Sequence, residues 1–226
     1  MRIVLLLVVI ALLIASPQGA TGYAQSTRSE VQDWLNLRVE NLDLEADNIH
    51  LLLLKLSNEK GIPIGLEVSS EDDLSQTKTI RVQIKQGTLA DVLNSIVAQN
   101  PLYTWRIQDD VVNVTPLEFN RDQLLRSVLE KRFAKFSIAR GTSRLTLRQT
   151  LSDTREIRAI LDQGGVAPNQ QTFMSRDVSP LGRQYGFEAT NISVSELLNR
   201  VIRESQTKYW IVLRDGDKKQ YFVLNL

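Results

Sequence analysis

IRVQIKQGTLADVLNSIVAQNPLYTWRI (residues 80–107) and FEATNISVSELLNRVIRESQTKYWIVL (residues 187–213) carry one pattern twice, and that pattern decides the fold. In the first stretch Ile80, Val82 and Ile84 alternate with period two, as a half-buried strand does. Thr88, with Asp91 three residues later, spells a helix start, and Leu89, Val92, Leu93, Ile96 and Val97 then recur at helical spacing. The second stretch repeats this 105 residues on. Ser193 and Glu196 form the same capping signature, and Val194, Leu197, Leu198, Val201 and Ile202 take the same helical positions. Identities at that offset include Leu93 with Leu198, Asn94 with Asn199 and Trp105 with Trp210. Two aligned capping signals with five matched apolar positions indicate an internal duplication.

Weaker copies of the strand–helix unit precede each of these. Residues 35–39 (LNLRV) alternate like a strand, and Asp47 or Asn48 is placed to cap a helix carrying Ile49, Leu52, Leu53 and Leu56. Residues 133–138 (FAKFSI) read as a strand, with one helix expected within 145–161. Each half closes on a hairpin: 103–107 with 111–115 about Asp109 and Asp110, and 209–213 with 221–224 about a turn containing Asp215 and Gly216. The expected class is α+β, with two small βαβ-repeat modules, each a short sheet covered on one face by two helices. The modules are expected at 25–117 and 118–226, with the boundary in 116–121 and a long insertion at 162–185 in the second.

Residues 1–24 read as a cleaved signal peptide. Arg2 supplies a short basic start, and residues 3–15 (IVLLLVVIALLIA) are an apolar run long enough for the core of a signal peptide. The run is shorter than the roughly 20 residues that span a bilayer. Ser16 and Pro17 break it, and Gly22 and Ala24 place small residues before a cut at Gln25. This implies a periplasmic or secreted protein, with membrane association only through that segment if it is retained.

Composition removes several chemistries. Of 226 residues none is cysteine and only His50 is histidine. That excludes disulfides, thiolate zinc, iron–sulfur clusters and a thiol nucleophile, and a histidine-rich metal site within one chain. No cofactor is expected. The chain carries 27 basic and 26 acidic residues, a balance that argues against nucleic acid as a partner. Export without cysteine implies that the domains have enough apolar core to stand without disulfides.

The residues 80–115 and 187–223, with 35–68 fitting the first half of the unit, resemble the short N-terminal domain shared by secretins and TonB-dependent receptors. The resemblance rests on a packing pattern of strand, small capping residue, apolar helix, aromatic and hairpin. It implies a periplasmic, non-enzymatic protein-interaction or adaptor module in two tandem degenerate copies. The partner it implies is another envelope protein, such as a secretin, a receptor or an anti-sigma-type protein. The chain departs from the family in two ways: no outer-membrane barrel or secretin pore follows, and residues 162–185 interrupt the second copy.

Catalytic signatures are thin. Ser57/Lys60 and Ser75/Lys78 match S-x-x-K, without the companion motifs that give it meaning, and are expected at the surface. His50 lies beside a leucine run and has no triad partners in sequence. The acidic runs Glu71–Asp73 and Asp109–Asp110 fall in loops and turns, where Asp serves the backbone. A periplasmic hydrolase using unrecognised carboxylates or a Ser–Lys pair remains an alternative, as does a protein binding an anionic ligand or membrane surface. Trp105 and Trp210 are expected to pack beneath their own helices.

Charge is unevenly spread. Residues 30–75 hold eleven acidic side chains against three basic ones, and residues 121–158 hold ten basic against four acidic. A chain this dipolar can steer an encounter. We therefore expect Arg140, Arg144 and Arg148, with Phe173 and Met174 of the long insertion as apolar anchors, to contact the partner.

Overall fold

A computed structural model describes residues 35–68, 79–168, 186–205, 207–215 and 221–225. The chain is α+β, and its two halves follow one element order. The first half runs β1 (Arg38–Ala46), α1 (Ile49–Lys60), β2 (Ile64–Glu67), β3 (Ile80–Thr88), α2 (Leu89–Gln99) and the hairpin β4 (Tyr103–Gln108) with β5 (Val111–Pro116). A 3₁₀ turn, Glu118–Asn120, leads to α3 (Gln123–Glu130). The second half then runs β6 (Arg132–Ile138), α4 (Arg144–Asp153), α5 (Arg155–Gln163), β7 (Ala167–Pro168), β8 (Phe187–Ser193), α6 (Val194–Glu204), β9 (Tyr209–Asp215) and β10 (Tyr221–Asn225).

Local chemistry sets these elements. Thr88 and Asp91 form a complete capping box at α2, and Ser193 and Glu196 form its counterpart at α6. Asn48 caps α1, accepting from the Leu51 amide at 2.9 Å, and Gly61 ends it in the left-handed conformation at φ 66°. Asp109 and Asp110 both take positive φ, 54° and 58°, as a tight two-residue hairpin turn requires. Two expectations shift. The first strand begins at Arg38, so its alternation is the one in VENLDLEA and not in LNLRV. The single helix expected within 145–161 is two, because Thr154 is extended (φ −61°, ψ 141°) and ends α4 while opening α5. The preceding Ser152 and Asp153 are short polar residues that favour helix ends over helix interiors.

The sheets show what the duplication builds. β1 pairs antiparallel with β3, and β6 with β8, as two-stranded ribbons. The remaining strands form one six-stranded sheet in the order β4-β5-β2-β9-β10-β7. Each half contributes a hairpin and one short parallel strand: β4-β5-β2 from the first, β9-β10-β7 from the second. They join where β2 pairs in parallel with β9, Ile64 opposite Tyr209 and Gly65 opposite Trp210.

The joined sheet is a middle layer with a core on each face. Along β9, Tyr209 and Ile211 belong to one apolar cluster with β1, β3, α1 and α2, whereas Trp210 and Val212 belong to the other, with β6, β8 and helices α3–α6. Successive side chains on a strand point to opposite faces, so the two clusters lie on opposite sides of the sheet. The continuous apolar run Tyr209–Leu213 is the sequence mark of a strand buried on both faces.

Candidate interaction surfaces

The nucleophile and base candidates are absorbed into the joint between the halves. Ser57 is fully buried, contrary to its expected surface position, because it shares a helix face with Leu53 and Leu56. Its hydroxyl lies 2.8 Å from the Ile62 carbonyl oxygen and 2.9 Å from that of Lys208, so it ties the end of α1 to the start of β9. Lys60, three residues on, is exposed. Ser75 and Lys78 lie outside the described residues, as do Glu71–Asp73. His50 is half-buried on α1, with Nδ1 3.0 Å from the Tyr209 hydroxyl. Burial lowers the His50 pKa and raises that of Tyr209 well above the usual phenol range, so the pair is neutral at pH 7. Asp109 and Asp110 shape the β4–β5 turn, and Arg203 of α6 reaches back to it, donating to the Asp109 carbonyl at 3.2 Å. Among the described residues no three of His, Asp and Glu converge as a metal site.

Two features of the joint escaped sequence reasoning. A Cβ on Gly65 would lie 2.2 Å from the Trp210 ring, so this glycine exists to let the indole of one half lie flat on the backbone of the other. Beside it, Glu67 is fully buried. Arg121 grips it through Nε, 3.0 Å from both carboxylate oxygens, and through Nη2 at 2.8 Å from one. Burial pushes the Glu67 carboxyl above the usual carboxylate range, and Arg121 pulls it part of the way back. One residue further, Asp122 caps α3 and accepts from Arg214 of β9 at 3.1 Å. The chain is thus pinned to the central sheet where it passes between halves. The available signal was an acidic residue ending the otherwise apolar run of β2, IGLE.

Arg140 is exposed after β6, Arg144 opens α4, and Arg148 lies one turn on, half-buried, with its guanidinium pKa lowered by burial. Arg140, Arg148 and Arg155 make no ion pair with a described residue, whereas Arg158 pairs with Asp153 at 2.5 Å. Phe173 and Met174 lie outside the described residues. Trp105 and Trp210 do sit beneath their own helices, donating to Asn94 and Asn199.

No helix among the described residues is long and apolar enough to cross a membrane. Neither a family model, nor a curated protein, nor a solved structure matches the chain.

Proposed function

We propose that the chain is a non-enzymatic protein-interaction module of the bacterial cell envelope, exported to the periplasm by residues 1–24 and related to the short N-terminal domains of secretins and TonB-dependent receptors. The observation that carries this reading is the β2–β9 ladder: the two halves are joined by strand pairing across their sheet edges. A fold whose units associate in this way is suited to receive a partner in the same way. Arg140, Arg144 and Arg148 add a basic flank that would steer an acidic partner.

Photo-cross-linking in the native host tests this, with the photoreactive residue at position 140, 144 or 148 and the cells then fractionated. Discrete protein adducts in the periplasmic fraction support the reading. A chain retained in the cytoplasm, or a periplasmic chain giving no adduct from any of these positions, overturns it.

A second reading, binding to an anionic ligand or membrane surface, is favoured by one observation: Arg140, Arg148 and Arg155 have no carboxylate partner among the described residues. It requires retention on phosphatidylglycerol vesicles that fades with salt.

A further inference from the structure

We propose that the outer edge of β4, Tyr103–Gln108, receives an extended segment of a partner protein as an added strand, with acidic and apolar residues alternating along that segment. The proposal rests on the protein-interaction reading and assigns its site. In the six-stranded sheet the halves repeat as β4-β5-β2 and β9-β10-β7. β9, the counterpart of β4, is paired on both sides, by β2 and β10. Among the described strands β4 pairs only with β5. Among the described residues, the repeat therefore leaves the outer backbone edge of β4 past Tyr103, whose amide donates to the Asn100 carbonyl, without a strand neighbour at the position where, in the other half, one is bound.

The faces of β4 decide what kind of neighbour fits. Tyr209 and Ile211 of β9 are buried in the core of the first half. Their counterparts at the 105-residue offset are Thr104 and Arg106, both exposed. Another folded unit, docked as the first half docks on β9, would bury Arg106 against an apolar layer without a partner charge, which opposes docking. A lone extended segment fills the ladder and leaves that face in water.

Among the other outer strands, β1, β8 and β7 are guarded. Each two-stranded ribbon contains an asparagine in the left-handed conformation, Asn41 in β1 and Asn191 in β8, both at φ 50°, which interrupts regular pairing. β7 is two residues long and ends in Pro168. β4 has six residues, with no glycine, proline or bulge.

The chemistry of the occupant follows from the side chains at this edge. Arg106 makes no ion pair with a described residue, so a carboxylate level with it would be its cross-strand partner. Trp105 and Ile107, on the opposite face, are half-buried against the core, and apolar residues flanking the carboxylate would complete their cover. Just before the strand, Leu102 is 46% exposed, and its carbonyl accepts from the Leu117 amide at 2.7 Å. That bond brings in the turn bearing Phe119, which is 79% exposed, and the two residues offer an apolar stop at the strand's start. The fitting sequence is therefore apolar–acidic–apolar.

The experiment titrates the mature chain with a blocked synthetic heptapeptide, threonine at each end and valine alternating with glutamate between, and with the same peptide carrying lysine for glutamate. Amide exchange is read by NMR. We expect the glutamate peptide to slow exchange within residues 103–108. Arg106→Glu should weaken that peptide about tenfold and strengthen the lysine peptide comparably. Arg106 is exposed, so the urea midpoint should be unchanged, which separates lost binding from lost folding. The proposal is overturned if protection maps to another element, if Arg106→Glu leaves the preference unaltered, if neither peptide binds, or if the chain pairs with a second copy at this edge. Cross-links from positions 140 and 148 in a parent chain that binds neither peptide would leave the interaction reading standing and remove this site. Peptide binding at β4 with no envelope adduct from any position would do the reverse.

Discussion

Trp210 donates its indole N–H to the Asn199 side-chain oxygen at 3.0 Å, and Trp105 makes the same bond to Asn94 at the same distance, 105 residues earlier. Burial separates the two: Trp210 and Asn199 are 1% and 0% exposed, whereas Asn94 faces solvent. Asn199→Ala should therefore strand a buried donor and cost about 1–3 kcal/mol. Asn94→Ala, where water replaces the lost acceptor, should cost under about 1 kcal/mol. Urea unfolding of the two variants gives the comparison, and equal losses would contradict it.

Gly65 and Trp210 face each other where the two halves join. Gly65→Ala places a methyl group where the indole lies, and should destabilise by roughly 1–3 kcal/mol through overpacking. In a Trp210→Leu background the same substitution should cost measurably less, because the clashing ring is gone. A double-mutant cycle with no coupling would show that the two do not touch.

Arg121→Ala leaves Glu67 buried without its partner, and should cost about 3–5 kcal/mol near neutral pH. The Glu67 pKa is already raised by burial, and losing Arg121 raises it further. A carboxyl with a raised folded pKa binds its proton more tightly in the native state. Its folding penalty therefore shrinks as pH falls towards the unfolded value of 4.5. Denaturant midpoints of Arg121→Ala should thus recover, relative to the parent chain, between neutral and mildly acidic pH. A constant gap would contradict the pairing.

His50 works in the opposite direction. Its folded pKa is depressed by burial, so the unfolded chain binds the proton more readily. The stability this neutral imidazole contributes is present above its unfolded pKa of 6.5 and is lost as pH falls from there through the folded value. The measurement is unfolding free energy from pH 8 to pH 5 for the parent and His50→Gln. The variant should lack the decline that begins near 6.5, and parallel curves would remove His50 as its source.

Leu93→Ala and Leu198→Ala each empty a site in a different apolar cluster, and each should cost about 2–5 kcal/mol. The shared sheet couples the clusters, so both variants should shift one common calorimetric transition. Two transitions, each sensitive to one substitution, would mean that the β2–β9 ladder does not bind the halves into a cooperative unit.

Much of this fold is local, and local features are legible in a sequence. The capping boxes at Thr88 and Ser193, the apolar faces of α2 and α6 and the Asp109–Asp110 turn each depend on residues within four positions of one another. The 105-residue offset made the second half readable from the first. The sequence also placed both tryptophans beneath their own helices, because the helix and strand that hold each are neighbours in the chain. Tertiary structure alone decided the rest. That β2 pairs with β9, that Gly65 lies under Trp210, that Ser57 binds the Lys208 carbonyl and that Arg121 seizes Glu67 are contacts across 54 to 151 residues. Neither partner's immediate neighbours encode such a contact. The same holds for the candidate site. Arg106 and Ile211 occupy equivalent strand positions, and both are compatible with a hairpin. Which of them is covered depends on where the other half of the chain comes to rest, and that is settled by the joining of the two sheets.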